Sequence, residues 1–158
     1  MQEHESTMRL ALEQAKLARD AGEVPVGAVV VLDGTVVGRG HNASVSRLDP
    51  TAHAEVIAMR DAAQSVGNYR LVGATLYCTV EPCLMCLGAA MLARVTRVVY
   101  GASDPKVGAA LHLERMWDAG AGFNHRIETI GGVLAEPAAA LVQDFFRERR
   151  PSRESATG

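Results

Sequence analysis

The chain is 158 residues long, 48% hydrophobic, 22% charged and only 4% aromatic, which are the proportions of one ordinary folded domain. Sixteen Lys and Arg against eighteen Asp and Glu leave a net charge of -2, which excludes a strongly basic nucleic-acid coat but not a local basic face. No uncharged apolar stretch approaches the roughly 18 to 20 residues of a membrane span, so no membrane partner is expected.

In chain order, Met8, Ala11, Leu12, Ala15 and Ala18 recur at helical spacing within residues 7–21, and Gly22 stands where a C-terminal cap belongs. A first amphipathic helix follows, with His4 read as a solvated terminal residue. Val26 to Leu32 and Thr35 to Arg39 flank Asp33-Gly34, the favoured type I′ turn, and read as a β-hairpin. Gly40 to Pro50 is a polar loop, and Thr51 precedes a second helix whose inner face includes Ile57, Ala58 and Ala62. A strand is expected over Thr75 to Thr79, a Pro82-initiated helix through Leu92, and a strand over Arg97 to Tyr100. Residues 101–125 are rich in Gly and Ala and support only a short helix from Ala110 to Trp117. Ile127 to Ile130 reads as a final strand, and Glu136-Pro137 opens a last helix to about Arg149. The order of elements predicts an α/β fold with a mixed sheet and helices on both faces. One domain spans 1–150, and the polar tail 151–158 is expected to be disordered.

Three cysteines argue against a disulfide framework, and with charged residues among the first twenty no secretory leader is expected. The cytoplasm is the expected compartment, where paired cysteines are more often metal ligands or catalytic groups. Cys83 and Cys86, three residues apart on one helical turn, face the same side and suit one ion or a redox pair. His53 would complete a thiolate and imidazole set that suits zinc. Three protein ligands leave a fourth position for water, as in catalytic sites. Cys78, His41, His112 and His125 are the candidates for a fourth ligand, although Cys78 on a strand reads better as a buried thiol. Glu55, two residues beyond His53, is placed for general acid and base work beside the ion.

His-x-Glu followed by Pro-Cys-x-x-Cys is the signature of the zinc-dependent nucleobase deaminases, which this chain resembles nearly end to end. Further blocks are Glu23-Val24-Pro25-Val26-Gly27-Ala28, Asp49 to Glu55, Asn68-Tyr69-Arg70-Leu71, Asn124-His125-Arg126 and Asp144-Phe145-Phe146-Arg147. They are similar to the branch that converts the wobble adenosine of an arginine tRNA anticodon to inosine. The resemblance implies a three-layer α/β/α cytidine deaminase-like fold with about five strands. It also implies one zinc ion per subunit on His53, Cys83 and Cys86, with Glu55 shuttling the proton as zinc-activated hydroxide adds to adenine C6. Asn42 would hydrogen-bond the purine and the Ala54 backbone would hold the base edge. Asp104 and Lys106 match a loop that contacts neighbouring nucleotides, although Ser103 and Pro105 stand at variable places.

The implied partners are a tRNA anticodon stem-loop, whose splayed bases expose C6, and a second copy of the chain in a homodimer. Residues 94–158 carry a net +1 against -3 for residues 1–93, so Arg147, Arg149 and Arg150 are the candidates to track RNA phosphates. Phe145 and Phe146 read as core or edge packing. Two other readings remain: a deaminase of free guanine, cytosine or cytidine, and a non-catalytic zinc-stabilised RNA-binding subunit. Glu55 argues against the latter, because a structural zinc site needs no proton shuttle.

Overall fold

The computed structural model describes residues 2–121 and 123–150; the tail at 151–158 lies outside them. Five helices and five strands alternate as α1 (Gln2–Asp20), β1 (Gly27–Leu32), β2 (Thr35–His41), α2 (Ala54–Val66), β3 (Thr75–Val80), α3 (Leu84–Leu92), β4 (Arg97–Ala102), α4 (Ala110–Asp118), β5 (Glu128–Ile130) and α5 (Ala135–Arg149). The sheet order is β2-β1-β3-β4-β5. β1 is antiparallel to β2 and β3, whereas β3, β4 and β5 are parallel. This is the expected mixed sheet of the cytidine deaminase-like fold.

Alternation along the strands divides the core in two. Ala28, Val30, Leu76, Cys78 and Val98 face α2, α3 and α4, while Val29, Tyr77 and Val99 face α1. A smaller cluster of Leu12, Ala102 and Ala138 joins α1 to α5. Each central strand therefore buries both faces, which explains its nearly continuous apolar sequence.

Most boundaries fall within two residues of expectation, and the exceptions have physical causes. The hairpin turn forms as read, with φ of 51° at Asp33 and 76° at Gly34. Helix α1 begins at Gln2 rather than near residue 7, because its first turn is polar and stabilised by Glu3 and Glu5 rather than by burial. His4 is not simply solvated: its Nδ1 lies 2.8 Å from the Tyr77 hydroxyl and its ring packs on that side chain. Strand β2 continues through Gly40 and His41, two residues that read as loop. A Cβ at Gly40 would approach the Ala54 carbonyl oxygen to 2.5 Å, so the missing side chain lets α2 lie close on the strand. Helix α5 starts at Ala135, after Leu134 in the left-handed region, which puts Pro137 inside the first turn where its absent N–H costs nothing.

The topology gathers six element ends at one end of the sheet. The register pairs Gly27 with His41, Ala28 with Cys78, and Val80 with Ala102. The entry to β1, the exits of β2, β3 and β4, and the starts of α2 and α3 all lie there, the usual place for a site in such sheets.

Candidate active site

His53 and Cys83 occupy equivalent places, each the N-cap of its helix and each in extended conformation, with φ of -77° in both. Neither side chain caps its own helix, so both are free to converge on a common point. Cys86 joins them from the first turn of α3. Cys83 Sγ lies 3.6 Å from His53 Nδ1 and 3.7 Å from Cys86 Sγ, and Cys86 Sγ lies 3.5 Å from His53 Nδ1. A tetrahedral zinc with bonds of about 2.3 Å to sulfur and about 2.0 to 2.1 Å to nitrogen sets its ligands about 3.8 Å (S to S) and about 3.5 Å (S to N) apart. The observed triangle fits that ion. Among the described residues it is the single cluster of this kind.

The four candidates for a further ligand lie elsewhere. The Cys78 thiol is buried and points to the Val99 carbonyl, His125 Nε2 is 2.7 Å from the Val95 carbonyl, and His41 Nδ1 is 3.1 Å from the Asn42 carbonyl. His112 is exposed on α4. The set is therefore three ligands with a fourth direction toward the cleft.

Electrostatics matches a cation between the three. The Cys83 thiol is lowered to about 4 by hydrogen bonds from Cys86 and then His53, while its proximity and burial push Cys86 up. Two thiolates so close repel unless a positive ion holds them. The Cys83 hydrogen bond raises the His53 imidazole against the opposing pull of burial. Glu55 is buried in the first turn of α2, with Oε2 3.2 Å from Cys86 Sγ. Burial raises its carboxyl above the ordinary range, so it can hold and release a proton nearer neutrality.

These groups open into a cleft of about 220 Å³ lined by Asn42, His53, Ala54, Glu55, Glu81, Cys83 and Asp104, with apolar walls at Val24, Val26, Val80 and Val107. Asn42, Ala54 and Asp104 are thus beside the three-ligand cluster. Asp104 is turned inward on its own loop, where Oδ1 accepts the Lys106 N–H at 3.0 Å and the Val107 N–H at 3.2 Å. Lys106 is elsewhere. It lines a separate groove of about 650 Å³ with Gln143, Phe146, Arg147, Arg149 and Arg150. The three arginines differ: Arg147 reaches Asp144 at 3.1 Å, whereas Arg149 lies over the Phe145 ring at 3.5 Å. Phe145 is in the core at 5% exposure, and Phe146, 48% exposed at the groove, packs edge-on against it with ring centroids 5.4 Å apart.

Two carboxylates escaped the reading of the sequence. Glu81 accepts the Asp104 N–H at 3.1 Å and the Ala110 N–H at 3.2 Å, tying the Asp104 loop to the segment that carries Cys83. A Cβ at Gly108 would collide with the Glu81 carboxyl. Glu23, 2% exposed, accepts backbone N–H groups from the loop after Asn42. The available signals were an acid directly before Pro82-Cys83 and one opening the Glu23 to Ala28 block; neither reveals a backbone partner.

A three-layer sheet domain carrying a His, Cys, Cys cluster with a buried glutamate beside it defines a zinc-dependent deaminase, and the cytidine and deoxycytidylate deaminase zinc-binding region family matches residues 1–102. The chain belongs to that family. It is 46% identical over 151 residues to the tRNA-specific adenosine deaminase of Haemophilus influenzae, across 95% of this chain and 87% of that protein. To the tRNA-specific adenosine deaminase of Bacillus subtilis it is 42% identical over 156 residues, 99% and 96% of the two chains. A solved structure from a study of A-to-I editing by tRNA:A34 deaminases at the wobble position superposes with a TM-score of 0.78 at 41% identity, covering 85% of this chain and 96% of that one. Within the wider family, the chain is a member of the tRNA-specific adenosine deaminases.

Proposed function

We propose that the chain hydrolyses the wobble adenosine of a tRNA-Arg anticodon to inosine and ammonia, with His53, Cys83 and Cys86 holding one zinc ion per subunit. The observation that carries this reading is the triangle of ligand atoms, 3.5 to 3.7 Å on a side, with the Glu55 carboxyl beside it in a cleft that Asn42 also lines. Zinc with three protein ligands, when bound, lowers the pKa of a water at its open position to about 7.

The chain's own residues do the rest. Glu55 takes one proton from the incoming water and delivers it to the ring nitrogen next to C6; it then takes the remaining proton from the hydroxyl added at C6 and gives it to the amine, which leaves as ammonia while the C6 carbonyl forms. Its buried position holds the raised carboxyl pKa that both transfers need. Asn42 hydrogen-bonds the purine, and the Ala54 backbone meets the base edge. Val24, Val26 and Val107 cover the base and exclude bulk water. Asp104, from across the cleft, contacts the nucleotide beside the target.

A base inside a duplex cannot enter a cleft of this kind, so the substrate is a splayed loop base. Lys106, Arg147, Arg149 and Arg150 then follow the flanking phosphates along their groove, with Phe146 exposed among them. A homodimer completes the proposal; of the small-residue run Leu87-Gly88-Ala89-Ala90-Met91-Leu92 on α3, Leu87 and Ala90 belong to the core and Leu92 is exposed for the contact.

The test is direct: purified protein is incubated with a tRNA-Arg anticodon stem-loop and, separately, with adenine, guanine, cytosine and cytidine. Inosine in the RNA alone is the expected result. Turnover of a free base with none in RNA contradicts it.

A further inference from the structure

We infer that Glu23 is a positioning residue for base recognition, fixing from behind the loop that presents Asn42. The inference rests on the proposed function, in which Asn42 meets the base.

Glu23 is a carboxylate at 2% exposure, and none of the salt bridges among the described residues includes it. A buried charge without a counter-ion is costly unless strong hydrogen bonds replace water. Here both oxygens are used: Oε2 accepts the Ser46 N–H at 2.7 Å and Oε1 the Val45 N–H at 3.1 Å. Val45 and Ser46 are themselves exposed, so burial of their side chains does not hold them. Apart from a further contact of the Ser46 hydroxyl with Glu23, their other hydrogen bonds stay within the loop, from Leu48 N–H to the Val45 carbonyl and from the Ser46 hydroxyl to the Ala43 carbonyl. Glu23 is therefore what ties the loop tip to the body of the domain.

The tie reaches the cleft in short steps. The base of the loop is closed by Asn42 N–H to the Val26 carbonyl and Ala43 N–H to the Ala52 carbonyl, both at 3.0 Å. Between base and tip, the Ser44 hydroxyl lies 3.4 Å from Asn42 Oδ1 and 3.5 Å from the Ala52 carbonyl oxygen, so its single proton serves one of the two at a time. Turned to Asn42, it engages the amide oxygen and leaves the Asn42 NH₂ to face an acceptor on a purine. If the tip is released, Ser44 moves and Asn42 loses its orientation. His53 lies beyond the closed base of the loop, so zinc binding is not affected.

The experiment compares wild type, Glu23→Gln, Asn42→Ala and the double variant on the anticodon stem-loop, with zinc content measured for each. Gln keeps one acceptor but turns an NH₂ toward the second backbone N–H. We expect KM to rise about tenfold, the loss of one charge-assisted hydrogen bond, with kcat and zinc content unchanged. Because Glu23 acts through Asn42, the double variant is expected to be no worse than Asn42→Ala alone. An unchanged KM, loss of zinc, or multiplied losses in the double variant overturns the inference. A second measurement needs no variant: in the wild-type protein, the Val45 and Ser46 amides should be protected from hydrogen exchange despite their exposed side chains, and free-peptide exchange overturns the clamp. Should wild type form no inosine, or Asn42→Ala leave KM untouched, the underlying reading of the site fails instead, and the inference with it.

Discussion

The cleft and the α5 groove, proposed above to take the base and the flanking phosphates, are built in opposite ways. In the cleft, Glu55 and Cys86 are buried, Glu81 and Glu23 hold two of the bordering loops by backbone N–H groups, and little of the wall is free to shift. In the groove, Phe146 and Arg147 stand in solvent on α5, and Arg150 does so just beyond its end. Chemistry at C6 needs atoms fixed within fractions of an ångström before the substrate arrives. Phosphate tracking needs only charge within reach, since it is sequence-independent and screened by salt. Under the proposed function, the rigid region is the one where bonds change and the exposed one is where phosphates are followed.

The most drastic way to break this contrast is to take away the metal site. Cys83→Ala leaves two ligands, and zinc content and inosine formation should both fall to background, with a lower melting temperature. A strong chelator should do the same to the wild type, reversibly on returning zinc. Next in size, Asn42→Ala should keep zinc but lower kcat/KM about ten- to a hundredfold, mostly through KM, because a base acceptor is left unpaired.

The groove should respond differently in kind. Arg147→Gln with Arg150→Gln should leave kcat and zinc unchanged while flattening the salt dependence of RNA binding, by about 0.7 to 0.9 in slope for each phosphate no longer neutralised. A change in kcat instead would mean that the two regions are not separate. The smallest effect concerns Glu23. Burial raises its carboxyl pKa, but hydrogen bonds from Ser46 and Val45 outweigh burial and hold it below 4.5. A depressed folded pKa contributes stability that is complete above about 4.5 and is lost as pH falls through the folded value. Glu23→Gln should therefore flatten the acid limb of a denaturation profile and destabilise the protein most at neutral pH.

The same contrast decides what the sequence disclosed. His53, Glu55, Cys83 and Cys86 were legible because each pair sits within one turn, and local spacing dictates which way side chains point. The central strands were legible because burial on both faces leaves continuous apolar runs, the hairpin because Asp33-Gly34 marks its turn, and the helices by their apolar spacing and end signals. What lies across the fold was not. His4 finds Tyr77 73 positions away, and Glu23 finds Val45 and Ser46 through backbone groups that every residue carries. Lys106 and Asp104 are neighbours in sequence, yet the turn that Asp104 closes sends them to different surfaces. Gly40 reads as a loop residue until α2 is seen lying on it.

Glu55 carries the central claim, that this site is catalytic rather than structural. Glu55→Ala, assayed on the anticodon stem-loop with zinc measured on the same sample, isolates it. A catalytic role requires zinc near one per chain and inosine formation reduced by at least about a hundredfold, the lower bound for losing a general acid and base. Zinc retained with turnover near the wild-type rate would contradict it.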